Sequence, residues 1–113
     1  MQITQSRIEP DIDVVALVGR LTLGRETTAF EAAIDALLAK GARKVVLDFS
    51  QLDYIDSAGL GVILSAASKL KQAGGSARLA KVGTRVMQVL KLTHTDSVLS
   101  LDPDVAASAA QFA

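Results

Sequence analysis

The chain has 113 residues, with twelve basic and twelve acidic side chains, 50% hydrophobic residues and only 4% aromatic ones. This composition suits one packed domain with a core of Val, Leu, Ile and Ala, and it is too apolar for a disordered chain. Balanced charge argues against a nucleic-acid partner, whose phosphates demand a basic excess, and the absence of cysteine excludes disulfides, thiolate catalysis and Cys-based metal sites.

The first seven residues, Met1 to Arg7, lack the basic-then-apolar layout of a secretory signal. No apolar run approaches the roughly 20 residues that span a bilayer. The expectation is a cytoplasmic protein without membrane insertion, forming a single domain over residues 1–113 with no repeat or linker.

Ile3 to Ile8 and Ile12 to Val18 read as two strands around Glu9-Pro10-Asp11, a turn-forming string that predicts an antiparallel hairpin with the first strand at an edge. Val14 to Val18 is apolar throughout, as burial on both faces requires. From Arg25 to Lys40, Phe30, Ala33, Ile34, Leu37 and Leu38 make the stripe of an amphipathic helix. Thr28 and Glu31 have the spacing of a capping box, although the start could lie a turn earlier, and Gly41 suits the left-handed position past the end.

Val45 to Phe49 is a short apolar run of β-formers, read as a buried strand and followed by a loop. Ser57 to Ala73 gives a second helix, stopped by Gly74-Gly75, and Ser76 to Ala80 the next strand. Thr84 opens a third helix with Val86, Val89 and Leu90 inward. Val98 to Leu101 is a last strand, and Asp102-Pro103 is expected to start a C-terminal helix with Asp as N-cap. The order ββαβαβαβα implies right-handed crossovers and a five-stranded, largely parallel sheet, with one antiparallel strand from the hairpin.

The segment Asp53-Tyr54-Ile55-Asp56-Ser57-Ala58-Gly59-Leu60-Gly61 carries the functional information, since it joins a buried strand to a helix, where α/β proteins place working loops. Asp56 is placed to cap the helix by accepting from the N–H of Ala58 or Gly59. Ser57 is then the first helical residue, with its hydroxyl near the positive end of the dipole. By the helical period Leu60, Ile63, Ala67 and Leu70 point to the sheet, and Ser57, Gly61, Ser65, Ser68 and Gln72 lie opposite. That outer face is made mainly of small residues, so a second protein can approach it closely. Angle and composition alone allow both a docking surface centred on Ser57 and an exposed face with no partner.

The apolar strand, Leu52 and the string Ile55-Asp56-Ser57-Ala58-Gly59-Leu60-Gly61 resemble the hallmark of the STAS domain, in its branch of anti-sigma factor antagonists. The Gly19-Arg20-Leu21 turn, Gly74-Gly75 and the Val86/Leu90 spacing extend the resemblance over nearly the whole chain. The resemblance implies no enzyme activity and no cofactor. It implies a protein that binds an anti-sigma factor with serine kinase activity and is phosphorylated by it at Ser57, with a Ser/Thr phosphatase restoring the binding form. The surface so implied contains Asp56, Ser57, Ala58, Gly61, Ser65 and Thr22. At Thr22 the family commonly has Asp, which leaves the details of kinase or nucleotide contact open.

Other readings are weaker on chemical grounds. A serine hydrolase needs a base for Ser57, and the only histidine, His94, falls in a helix-terminating loop without a Gly-x-Ser-x-Gly elbow. Nucleotide binding would rest on Gly59-Leu60-Gly61 alone, and one His with scattered carboxylates makes no metal-ligand set. The remaining alternative keeps the fold and makes the Ser57 face a constitutive dock on a transporter ATPase or a sensory complex, without phosphorylation.

Overall fold

The computed structural model describes residues 1–112. Strand β1 (Gln2–Ile8) turns back through a cis Glu9–Pro10 peptide into β2 (Ile12–Leu21). Helix α1 (Arg25–Ala39), strand β3 (Lys44–Ile55), helix α2 (Ser57–Gln72) and strand β4 (Ser76–Ala80) follow. Helix α3 (Thr84–Leu92), a 3₁₀ turn at Thr95–Ser97, strand β5 (Ser100–Asp102) and helix α4 (Val105–Gln111) complete the order.

The sheet runs β1-β2-β3-β4-β5, with β1 antiparallel to β2 and every later pair parallel. Each parallel strand is added on the same side of its predecessor, so right-handed crossovers put α1, α2 and α3 on one face. There Phe30, Ile34, Leu37, Leu60, Ile63, Leu70, Val86 and Leu90 close over Val15, Leu17, Val45, Leu47, Phe49 and Leu79. The opposite face is narrower: Ile12, Val14, Val46 and Ala80 are covered by Val105, Ala109 and Phe112 from the α4 segment. The unbroken apolar run Val45-Val46-Leu47 is thus explained by its central position, because successive side chains enter two different cores.

The structure departs from the expectations at several places. Strand β3 does not end at Phe49. It continues to Ile55, and its distal half pairs with β2 alone, beyond the last β3–β4 pair at Asp48 and Ala80. Strand β2 likewise runs on through Gly19-Arg20-Leu21, which is strand and not turn. Helix α1 uses the earlier of its two possible starts: the Thr27 hydroxyl accepts from the Gly24 N–H at 3.1 Å, so Thr28 and Glu31 do not form the cap.

Helix α4 begins two residues later than expected, with Asp104 as N-cap accepting from the Ala107 N–H at 2.8 Å. Asp102 ends β5 instead, because Arg78 on neighbouring β4 claims it through Nε at 2.7 Å and Nη2 at 3.2 Å. The Ser108 hydroxyl donates to the same carboxylate at 2.8 Å, and these donors hold the Asp102 carboxyl below its ordinary value despite its burial. Strand β5 also starts later than expected, at Ser100, leaving Val98 exposed. On α2 Ala66 joins Ile63 and Leu70 in the core, and Ala67 is only partly buried. Helix α1 covers that flank of α2, and Lys69 bridges to Asp35 of α1 at 3.0 Å.

Candidate functional site

The carboxyl ends of β2 and β3 meet the amino end of α2, and one carboxylate organises the junction. Asp56, in extended conformation at the N-cap of α2, accepts from the Gly59 N–H through Oδ1 at 2.8 Å. Its Oδ2 accepts from the Leu23 N–H at 2.9 Å, in the loop between β2 and α1. The Leu23 bond, followed by that of Gly59, holds the Asp56 carboxyl below its ordinary value. A single side chain therefore satisfies one orphan donor of the helix and pins a loop 33 positions away.

Glycine at position 59 is a steric requirement of this junction. A Cβ there would lie 2.2 Å from the Leu21 carbonyl oxygen, so α2 could not sit so close to β2. Gly61 differs, since a Cβ would meet nothing within 4 Å and would point to solvent. It belongs to the outer face with Ser57 and Ser68, all exposed, and half-buried Ser65. Gln72 caps the lower end of this row by donating to the Ser68 hydroxyl at 3.3 Å.

The structure brings the expected residues together. Ser57 is exposed at the first position of α2, and Ala58 beside it is half-buried. Thr22 lies at the mouth of an open cleft lined also by Met1, Gly19, Arg20, Glu26, Tyr54 and Asp56. Its hydroxyl donates to Glu26 Oε1 at 3.1 Å, so the threonine is tied to a carboxylate in the first turn of α1. Glu26, Arg20, Tyr54 and Leu23 are the neighbours that reasoning from sequence missed. None carries a local signal, since each reaches the site through strand pairing or the folded loop.

His94 is exposed, in left-handed conformation between α3 and the 3₁₀ turn, and lines no part of this cleft. Among the described residues no three His, Cys, Asp or Glu side chains gather as a metal-binding group, and no helix is long and apolar enough to cross a membrane.

Residues 4–108 match the family model described as the STAS domain. A protein of Bordetella bronchiseptica named as an anti-sigma factor antagonist, BtrV, is 33% identical over 112 residues, which is 99% of this chain and 95% of that one. Among solved structures, one named as an anti-sigma factor antagonist of Thermotoga maritima superposes with a TM-score of 0.88 at 24% identity, covering 96% of this chain and 92% of that one. The antagonist SpoIIAA of Bacillus has the same fold in its unphosphorylated form, with a TM-score of 0.75 at 17% identity, covering 97% and 96%. Its phosphorylated form gives 0.73 at 18% identity, covering 94% and 96%.

Proposed function

The chain belongs to the STAS domain family, in its branch of anti-sigma factor antagonists, and from that premise we propose that it is a protein-binding switch operated by phosphorylation of Ser57. Unphosphorylated, it binds and sequesters an anti-sigma factor that is also a serine kinase. That kinase phosphorylates Ser57, and a Ser/Thr phosphatase restores the binding form. The chain supplies a surface and a phosphoacceptor, not catalysis.

The observation that carries this reading is the exposure of Ser57 at the start of α2, continuous with exposed Gly61 on a face of small residues. A kinase can reach that hydroxyl, and a partner backbone can lie along the helix. SpoIIAA, which shares the fold, is known in both an unphosphorylated and a phosphorylated form, which supports a switch of the same kind here.

Physical terms favour a block of contact over a change of fold. A phosphoserine adds about −1.5 to −2 charges. The free N–H groups at a helix start favour those charges by roughly 0.3–1 kcal/mol at an exposed site, and the adjacent Asp56 carboxylate opposes them. In a complex built around a neutral hydroxyl, the same charge would lose its water without gaining a counter-ion. A penalty of about 3 kcal/mol there weakens binding by more than about 100-fold.

The deciding experiment incubates the protein with ATP and its cognate anti-sigma factor, then locates phosphate by intact mass and fragmentation. Phosphate on Ser57, together with loss of the complex, is the expected result. A stable complex with no phosphate on Ser57 refutes the switch and favours constitutive docking.

A further inference from the structure

Two arginines stand over the ring of Tyr54. The Arg20 guanidinium stands 5.0 Å from the ring centroid and that of Arg85 stands 5.5 Å from it. The three residues come from different elements, β2, β3 and α3, and Arg20 and Tyr54 share the open cleft with Asp56.

The arrangement is built by a register shift. Gly19 pairs with Leu52, but the next pair is Arg20 with Tyr54, so β3 carries one extra residue at this point. Without the shift Arg20 would lie opposite Asp53, an acidic neighbour ready to neutralise it. Such irregularities re-aim side chains at functional edges. Arg85 is also locally unfavourable, since it puts a cation in the first turn of α3, at the positive end of the helix dipole, where no acidic residue balances it. Local choices that contradict helix electrostatics are expected where function demands them.

Both guanidiniums keep their donors free. Among the described residues the ion pairs are Lys44–Asp11, Lys69–Asp35 and Arg78–Asp102, and none involves Arg20 or Arg85. The carboxylates of the adjoining cleft bond to neutral donors of this chain, Glu26 to Thr22 and Asp56 to Leu23 and Gly59, and neither forms an ion pair with these arginines. Stacking on an aromatic face fixes a guanidinium while leaving its planar fork available for a carboxylate. Arg and Tyr are also the residue types enriched at the energetic centres of protein interfaces.

We infer that Arg20 and Arg85, held on Tyr54, form a clamp for acidic side chains of the partner protein. The clamp is the electrostatic half of a surface whose other half is the Ser57–Gly61 face. This inference rests on the function proposed above and specifies the chemistry of the partner.

The test is calorimetric titration of the unphosphorylated chain with its anti-sigma factor, comparing wild type with R20Q, R85Q and the double variant. Each single change should weaken binding about 10-fold and the double about 50-fold or more. The double variant should also lose most of the salt dependence seen between about 50 and 300 mM NaCl. Circular dichroism and melting temperature should stay at wild-type values. Unchanged affinity and unchanged salt dependence in the double variant overturn the clamp.

A second measurement follows the Arg20 and Arg85 side-chain Nε–H resonances during titration with a blocked tetraglutamate peptide and, separately, with inorganic phosphate. Shifts of both resonances with the peptide support a carboxylate clamp. Shifts with phosphate alone, or with neither probe, overturn it. A wild-type chain that binds no anti-sigma factor defeats the function proposed above, and the peptide titration then decides the clamp by itself.

Discussion

Alanine at Gly59 and at Gly61, two positions apart on the same helix, should move stability in opposite directions. At Gly59 the added Cβ lies 2.2 Å from the Leu21 carbonyl oxygen and 3.3 Å from the Ile55 Cβ, whereas ordinary contact begins near 3.4 Å. The obstacle is backbone, which has no rotamer to adopt, so α2 or the end of β2 must move by more than an ångström. Overpacking of this kind costs typically 1–3 kcal/mol, here towards about 3. The helix propensity of Ala over Gly returns about 1 kcal/mol. The net loss of about 2 kcal/mol corresponds to a fall of roughly 8 °C in Tm for a chain of this length.

At Gly61 nothing opposes the methyl group, so only the propensity gain remains, roughly 1 kcal/mol or 4 °C upward. Binding should follow the other order of causes. Gly61→Ala puts a methyl group on the proposed docking face and should weaken the anti-sigma factor complex about 10-fold, the effect of about 1.4 kcal/mol. Urea denaturation with equal m-values gives the stabilities, and calorimetric titration gives the affinities. A Gly59→Ala protein as stable as wild type would refute the close approach of α2 to β2. A Gly61→Ala protein that binds at full strength would remove that face from the interface.

Further outcomes follow from the charged and capping groups. Asp56→Ala removes the acceptor for both Gly59 and Leu23, and loss of the cap alone should cost about 1 kcal/mol, with faster hydrogen exchange at the Leu23 amide as its signature. Both Asp56 and Asp102 are lowered from 3.8, so the stability they contribute is complete above that value and declines as pH falls through their lower folded-state values. The Tm difference between wild type and Asp56→Ala should therefore be constant from neutral pH to about 4 and shrink below it; a difference that grows on acidification contradicts the assigned sign. Arg78→Met leaves the Asp102 side chain, 7% exposed, without its cation, a loss of about 3 kcal/mol that Asp102→Asn in the same background should partly restore. Ser57→Asp should keep the wild-type circular-dichroism spectrum and lose partner binding, whereas comparable unfolding of that variant would argue against a block at the interface.

The amphipathic helices were legible because their signal is local. Phe30, Ile34 and Leu37 recur at the helical period and all three enter the core. The Asp56 cap was legible for the same reason, since donor and acceptor lie three positions apart. The far half of β3 was not: Ser50, Gln51 and Asp53 interrupt its apolar pattern, and that half has a strand neighbour on one side only. Asp102 preceding proline has the signature of a helix start, and a cation supplied by β4 overrides it. The Arg20–Tyr54 contact depends on an extra residue in one strand of a ladder, which no periodicity encodes. Local rules thus located the hydroxyl and its cap, and long-range pairing located the charged half of the surface.

These parts also bear on how the junction would accept the proposed phosphate without unfolding. Asp56 is committed on both oxygens, to α2 and to the β2–α1 loop, so it should stay in place if the proposed phosphate is added at the next residue. Gly59 fixes the helix start against the Leu21 carbonyl, which leaves α2 no alternative seat. Repulsion between phosphate and Asp56, reduced by solvent at this exposed edge, acts on a helix end held by packing as well as by its cap. On the proposed switch, the energy of modification would be felt where water is excluded, in the complex, and the free protein should keep its shape in both states.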